Sequence, residues 1–320
     1  MTSQQQLISI VIPAFNEEGN IPRLEQELLA AVASLPYVFE FIVIDNGSAD
    51  QTGPLVKQIC ARDSRWKYLR FSRNFTVEMS ITAGYHYAQG DAIVVLYSDL
   101  QDPPAVIPQM VDKWQQGFDV VYGVRTSRPG DAAWRNFAVK IAYRAIRWFS
   151  DVPIPTDAGD FRLITRQVRD ALESFPEHNR YLRGLIAWMG FRQVGVVYER
   201  APRRSGESKA PFSHLLFFAF SAITSFSLRP LRLFTLMGVV ILMLSVIAAI
   251  VYAALFFTAS PPPGITTIIV LLLAGIGLNS VGIGILGEYV GRTYVEAKHR
   301  PLYIVQESVN IETPASRNSA

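Results

Sequence analysis

Ile8-Ser-Ile-Val-Ile-Pro13, running directly into Ala14-Phe-Asn-Glu-Glu18, decides the fold: a short β-branched run breaks into an aromatic ring, an amide and two carboxylates. Four more apolar runs follow: Phe39-Glu-Phe-Ile-Val-Ile-Asp45, Trp66-Lys-Tyr-Leu-Arg-Phe71, Ala92-Ile-Val-Val-Leu-Tyr97 and Asp119-Val-Val-Tyr-Gly123, with amphipathic stretches between them. Such alternation predicts an α/β fold, a mostly parallel sheet covered by helices on both faces. In open sheets of this kind ligands bind beyond the carboxyl ends of the strands. Three strand ends are conspicuously polar: Phe15-Asn-Glu-Glu18, Asp45-Asn-Gly-Ser48 and Ser98-Asp-Leu-Gln-Asp102.

Their chemistry suits a nucleotide. The Phe15 ring can stack on a base, and carboxylates such as Glu17 and Asp45 accept hydrogen bonds from a base N–H or a ribose hydroxyl. Either segment alone also fits a strand-to-helix turn with Asn or Asp as its cap. At the fourth strand end Asp99, Gln101 and Asp102 offer oxygens to a hard cation, which typically combines one or two carboxylates with substrate phosphates. Asp102-Pro-Pro104 also reads as a helix start, with Asp102 as cap and Pro103 in the first position, which leaves Asp99 and Gln101 for a metal. The basic loop Arg200-Ala-Pro-Arg203-Arg-Ser-Gly-Glu-Ser-Lys209 suits phosphate oxygens or anionic headgroups. Thr156-Asp-Ala-Gly-Asp-Phe-Arg162, after Val152-Pro-Ile-Pro155, reads as a turn.

Half of the 320 residues are hydrophobic, more than one α/β core of this size needs. The surplus lies near the C-terminus. Phe234 to Phe257 carries no charge and Ile265 to Val290 only Glu288, and each is long enough to cross a bilayer core of about 30 Å. Between them Thr258-Ala-Ser-Pro-Pro-Pro-Gly264 supplies a turn, so a transmembrane helical hairpin is expected. Arg229 and Arg232 precede it and Arg292, Lys298 and Arg300 follow it, which places both termini in the cytoplasm. Trp134 to Phe149 and Phe212 to Leu228 suit amphipathic helices at the headgroup level, and the first equally suits a helix packed on the sheet.

The expected organisation is a cytosolic catalytic domain over 1–210 with an interfacial segment at 132–150, then a juxtamembrane helix at 211–230. Two spans follow within 231–292, about 233–257 and 265–290, and a cytosolic tail over 293–320. No signal-peptide layout opens the chain. The lone Cys60 agrees with a reducing compartment, and the formal charge of +3 gives no reason to expect nucleic acid. Gly275, Gly277, Ser280, Gly282, Gly284 and Gly287 invite close helix packing, including between subunits of a homo-oligomer.

The motifs VIPAFNEEGNI, IDNGSADQT, SDLQDPP, DAGDFRL, the R-x-x-R-x-x-G-x-S-K pattern from Arg200 and the two apolar C-terminal segments, in this order, resemble glycosyltransferase family 2. The similarity is to its polyprenyl-phosphate branch, which includes dolichol-phosphate mannose synthases and GtrB-type bactoprenol glucosyltransferases. The resemblance implies a GT-A fold and inverting transfer of a hexose, glucose first, from a UDP-sugar to polyprenyl phosphate. It further implies a divalent cation, Mg²⁺ or Mn²⁺, and a place in the inner (plasma) membrane, serving lipopolysaccharide or another cell-surface glycan. It assigns nucleotide contacts to Pro13, Phe15, Glu17 and Asp45, metal ligation to Asp99 and Gln101, phosphate contacts to Arg203 and Lys209, and an acceptor-side acid to Asp157. Many relatives carry Asp-Ala-Asp-Leu-Gln where this chain has Tyr97-Ser-Asp-Leu-Gln, so one usual metal carboxylate is absent. Two alternatives remain open: a processive polysaccharide synthase, whose Gln-x-x-Arg-Trp motif has only Arg144-Ala-Ile-Arg-Trp148 as counterpart, and a catalytically silent nucleotide-binding membrane module.

Overall fold

A computed structural model describes residues 5–125, 158–178, 180–199, 229–258 and 264–311. Within them one sheet contains β1 (Leu7–Ala14), β2 (Val38–Asp45), β3 (Trp66–Phe71), β4 (Ala92–Val95), β5 (Val120–Arg125), β6 (Ala158–Thr165), β7 (Gln193–Tyr198) and β8 (Val305–Val309). Their spatial order is β7-β5-β6-β4-β1-β2-β3-β8. β4, β1, β2 and β3 pair in parallel, as do β5 and β7. β6 runs antiparallel between β4 and β5, and β8 antiparallel along β3.

The sheet is therefore mixed, where the sequence predicted a mostly parallel one. The cause is β6. From Ala158 onward the segment expected as a turn is a strand, with Phe161 and Leu163 in the apolar core. Alternate residues, Asp160 and Arg162, are left for polar work on the opposite face.

Helices α1 (Ile21–Val32), α2 (Thr52–Arg62), α3 (Val77–Tyr87), α4 (Ile107–Gln115), α5 (Arg166–Glu173) and α6 (Leu182–Trp188) belong to the same unit. α1 buries Ile21, Leu24, Leu28 and Val32, a single stripe at helical spacing. α3 buries every residue from Ser80 to Tyr85. It sits so close to the sheet that a Cβ on Gly84 would stand 2.0 Å from Val11 Cγ1. Val11 is β-branched and fully buried, so it has no free rotamer to yield. Gly84→Ala is expected to cost about 1–3 kcal/mol by overpacking, read as a lowered thermal midpoint. An unchanged midpoint would show that α3 can lift off β1.

A second unit contains α7 (Arg229–Thr258) and α8 (Ile265–Ala297), 30 and 33 residues long. At 1.5 Å per residue these extend about 45 and 50 Å. The Phe234 ring lies where a Cβ on Gly282 would be, so the glycine admits close contact between the two helices. Leu236, Val246 and Ile250 on α7 and Leu271, Ile276 and Ile283 on α8 are exposed. Among the described residues no helix is long and apolar enough to cross a membrane. Part of the apolar stretch, including the side chains of 252–258 and 265–267, lies outside those residues. The expected interfacial segments at 132–150 and 211–228 also lie outside them.

Of the stretch expected as a tail, 293–320, the structure describes residues up to 311, and these include regular elements. α8 continues to Ala297, and residues 305–309 rejoin the sheet as β8. Lys57 pairs with Glu307 at 2.9 Å, Asn310 Nδ2 donates to the carbonyls of Cys60 and Trp66, and the Tyr303 ring stacks on Phe71. β8 covers the edge of β3, which would otherwise present unpaired backbone groups.

Candidate active site

The loops after β1 and β2 are stitched together through backbone donors. The N–H of Asn16 donates to Ser48 Oγ (3.0 Å), that of Glu17 to Thr52 Oγ1 (2.8 Å) and that of Glu18 to Asp50 Oδ2 (3.1 Å). In return Asn16 Oδ1 accepts from the N–H of Ala49, and Glu18 Oε2 from that of Gln51. Asp45 holds this arrangement from beneath. Fully buried, it accepts from the Ser48 N–H and from the Tyr68 hydroxyl, each at 2.7 Å. Burial, then the hydrogen bond to this carboxylate, pushes the Tyr68 phenol above its ordinary pKa.

The loop after β3 joins through Asn46, whose Nδ2 donates to Asn74 Oδ1 (3.1 Å) and whose Oδ1 accepts from the Phe75 N–H (2.8 Å). Gly47 makes the approach possible. Its φ is +80°, and a Cβ there would stand 2.8 Å from the Arg73 carbonyl carbon.

A cavity of about 310 Å³ opens between these loops and the end of β4. Pro13, Phe15 and Glu17 line it from β1, Asn46 and Asn74 from the neighbouring loops, Val77 and Ser80 from α3, and Tyr97 and Asp99 from beyond β4. The chain proceeds from β1 to β2 and β3 on one side and places β4 on the other. The cavity thus sits where strand order reverses, the usual ligand position in open α/β sheets. Asn16 (φ +55°), Thr76 (φ +107°) and Leu100 (φ +55°), each next to a lining residue, hold a backbone conformation that non-glycine residues rarely adopt. Such strain concentrates at functional sites.

Of the residues singled out in the sequence, Pro13, Phe15, Glu17 and Asp99 line this cavity together. The Phe15 ring is 45% exposed, unusual for phenylalanine and suited to stacking. Asp45 lies below the lining, with Asn46 in its place. Gln101 is buried and not among the lining residues; its N–H donates to Asp99 Oδ1 at 3.1 Å. Asp102 does not cap the following helical turn, whose N-cap is Pro103 with no side-chain hydrogen bond. Its carboxylate is instead fully buried, accepting from the Tyr198 hydroxyl and lying 3.4 Å from Arg125 Nη2. Asp157, Arg203 and Lys209 lie outside the described residues.

The sequence did not point to the cluster built on Asp160. Arg183 grips that carboxylate with two hydrogen bonds of 2.6 Å, from Nε to Oδ1 and from Nη2 to Oδ2. Tyr97 donates its hydroxyl to Oδ2 at 2.9 Å, and Arg162 Nη2 lies 3.7 Å from Oδ1. Burial opposes ionisation of Asp160, but the Arg183 contacts, Arg162 and the Tyr97 hydroxyl outweigh it and hold the pKa near 2. Asn74 was also missed, although applying the strand-end rule to β3 would have found it. Among the described residues no group of three or more His, Cys, Asp or Glu side chains could hold a metal by itself.

Residues 9–172 match the family model described as Glycosyl transferase family 2. An uncharacterized glycosyltransferase of Synechocystis sp. is 39% identical over 95% of this chain and 96% of its own length. The uncharacterized glycosyltransferase YkcC of Bacillus subtilis is 40% identical over 95% of this chain and 94% of its own. A bactoprenol glucosyl transferase of Shigella phage SfV is 36% identical over 93% of this chain and 98% of its own. With the family model spanning half of the chain and these relatives nearly all of it, the chain belongs to glycosyltransferase family 2.

Proposed function

We propose that this chain transfers a hexose, glucose first, from a UDP-sugar to polyprenyl phosphate at the cytoplasmic face of the plasma membrane, with inversion at the anomeric carbon. The observation that carries the reading is the cavity at the reversal of strand order. There an exposed aromatic ring, two side-chain amides and the carboxylate of Asp99 face one space of about 310 Å³. That volume lies at the lower end of the range of small-molecule sites. The lipid acceptor is supported by the similarity to the bactoprenol glucosyl transferase. The membrane is supported by the apolar runs of α7 and α8, by their exposed Leu, Ile and Val side chains and by the basic residues at the outer ends of the pair.

In this reading Phe15 stacks on the base and Glu17, Asn46 and Asn74 supply polar contacts to the nucleoside. A divalent cation fits the donor set only in the substrate-assisted manner. Asp99 would hold the ion with its carboxylate, steadied by the Gln101 N–H, and substrate phosphate oxygens and water would supply the remaining ligands. Bound there, Mg²⁺ or Mn²⁺ would stabilise the charge that develops on the leaving diphosphate. Arg203 and Lys209 hold phosphate oxygens by charge-assisted hydrogen bonds. Asp157 orients the acceptor. A phosphate monoester with a second pKa near 6 is already largely dianionic at neutral pH, so its attack on the anomeric carbon needs little help from a base.

The test is incubation of the purified chain with Mg²⁺ or Mn²⁺, polyprenyl phosphate and a panel of labelled nucleotide sugars. A labelled organic-soluble lipid, formed best from UDP-glucose, is expected. Absence of lipid product from every donor would favour the silent module, and a long polar polymer the processive synthase.

A further inference from the structure

The hydroxyl of Tyr97 is committed. It donates to Asp160 Oδ2, and that carboxylate is fixed in turn by two short hydrogen bonds from Arg183. A carboxylate paired in this way accepts and does not donate, so the direction of the Tyr97–Asp160 bond is settled. A phenol has one proton and two lone pairs. With the proton spent on Asp160, the Tyr97 oxygen has only acceptor capacity left, and the residue lines the cavity beside Asp99. A ligand group with an O–H or N–H can satisfy it. A phosphate or ether oxygen in the same place would meet it lone pair to lone pair.

We infer that Tyr97 is a specificity-determining residue that accepts a hydrogen bond from a hydroxyl group of the bound sugar nucleotide, with Asp160 and Arg183 as the positioning pair that fixes its orientation. The inference rests on the donor reading given above. A sugar nucleotide has hydroxyls in two places, on the ribose and on the hexose, and its diphosphate has only acceptors at neutral pH. Tyr97 therefore selects a sugar ring and turns the diphosphate away, toward Asp99. A carboxylate at this position draws a cation and through it the diphosphate; the phenol reads a hydroxyl instead. Asp160, held by Arg183, fixes the Tyr97 hydroxyl in this orientation.

The experiment is calorimetric binding of UDP, UDP-glucose and single-deoxy UDP-glucose analogues to the full chain and to its Tyr97→Phe variant, without acceptor. Tyr97→Phe keeps the ring in the wall and removes only the oxygen. UDP-glucose is expected to bind about 10-fold more weakly to the variant, the scale of one lost hydrogen bond. One deoxy analogue should lose a similar factor on the wild type and nothing further on the variant. A loss shared by UDP assigns the contact to the ribose, and a loss confined to UDP-glucose assigns it to the hexose. Equal affinities of both proteins for every ligand would overturn the role of Tyr97 while leaving the donor reading intact. Failure of the wild type to bind any of these ligands would overturn both. A merely structural Tyr97 would lower the thermal midpoint of the variant and weaken all ligands alike, without abolishing the penalty for the deoxy analogue, and that result too would overturn the inference.

Discussion

Asp99→Asn is expected to lower sugar transfer by more than about 100-fold and to weaken Mn²⁺ binding measured in the presence of UDP, with the thermal midpoint unchanged. Loss of groups that only support metal ligands already costs about 10–100-fold. Asp99 is expected to exceed that range because in the proposed reading its carboxylate contacts the metal directly. The residue two positions earlier is Tyr97, and the carboxylate it touches, Asp160, is fully engaged by Arg183. The amide introduced by the substitution keeps an oxygen for the Gln101 N–H, the hydrogen bond that Asp99 accepts from its own loop, so the turn after β4 should hold its shape. What the substitution removes is charge facing the cavity. Near-normal turnover with unaltered Mn²⁺ affinity would show that Asp99 is not the metal ligand.

The β1–β4 part of the sheet was legible because each of its strands is a predominantly apolar run closed by a polar break, as in Ile8 to Glu18. The antiparallel insertion was not. β6 begins within a Gly-Asp-Phe-Arg stretch whose charged residues, Asp160 and Arg162, lie within the protein and find each other and Arg183. In sequence such a stretch looks like a solvated turn. β8 was missed for a related reason: Val305-Gln-Glu-Ser-Val309 is a polar edge strand, with one edge hydrogen-bonded to β3 and Glu307 paired with Lys57. At the site, Phe15, Glu17 and Asp99, which the strand-end rule singled out, line one cavity. It could not show that Asp45 turns inward to Ser48 and Tyr68, or that Asn46 and Asn74 line the space above it. Those choices depend on loops brought together from 28 residues apart or more.

Asp160→Ala is expected to be the most destabilising substitution at the cavity, about 3 kcal/mol, the lower end of the cost of breaking a buried ion pair. The lower end applies because the Asp160 and Arg183 side chains retain 18% and 27% exposure. The variant leaves the guanidinium groups of Arg183 and Arg162 close together without the carboxylate between them. At about 2–4 °C per kcal/mol for a domain of this size, the thermal midpoint should fall by roughly 6–12 °C. Arg183→Met added to Asp160→Ala should recover part of the loss, since an apolar replacement of the whole pair is far less costly than an orphaned charge. The pH dependence has a definite sign. Because the folded-state pKa of Asp160 is depressed to about 2, its ionisation contributes stability above the ordinary carboxylate pKa of about 4, and that contribution is lost as pH falls from about 4 toward 2. Wild-type midpoints should therefore converge on those of Asp160→Asn in that window and separate from them above it. Parallel curves for the two proteins, together with no recovery in the double variant, would mean that the cluster contributes nothing to stability and that its role is confined to orienting Tyr97.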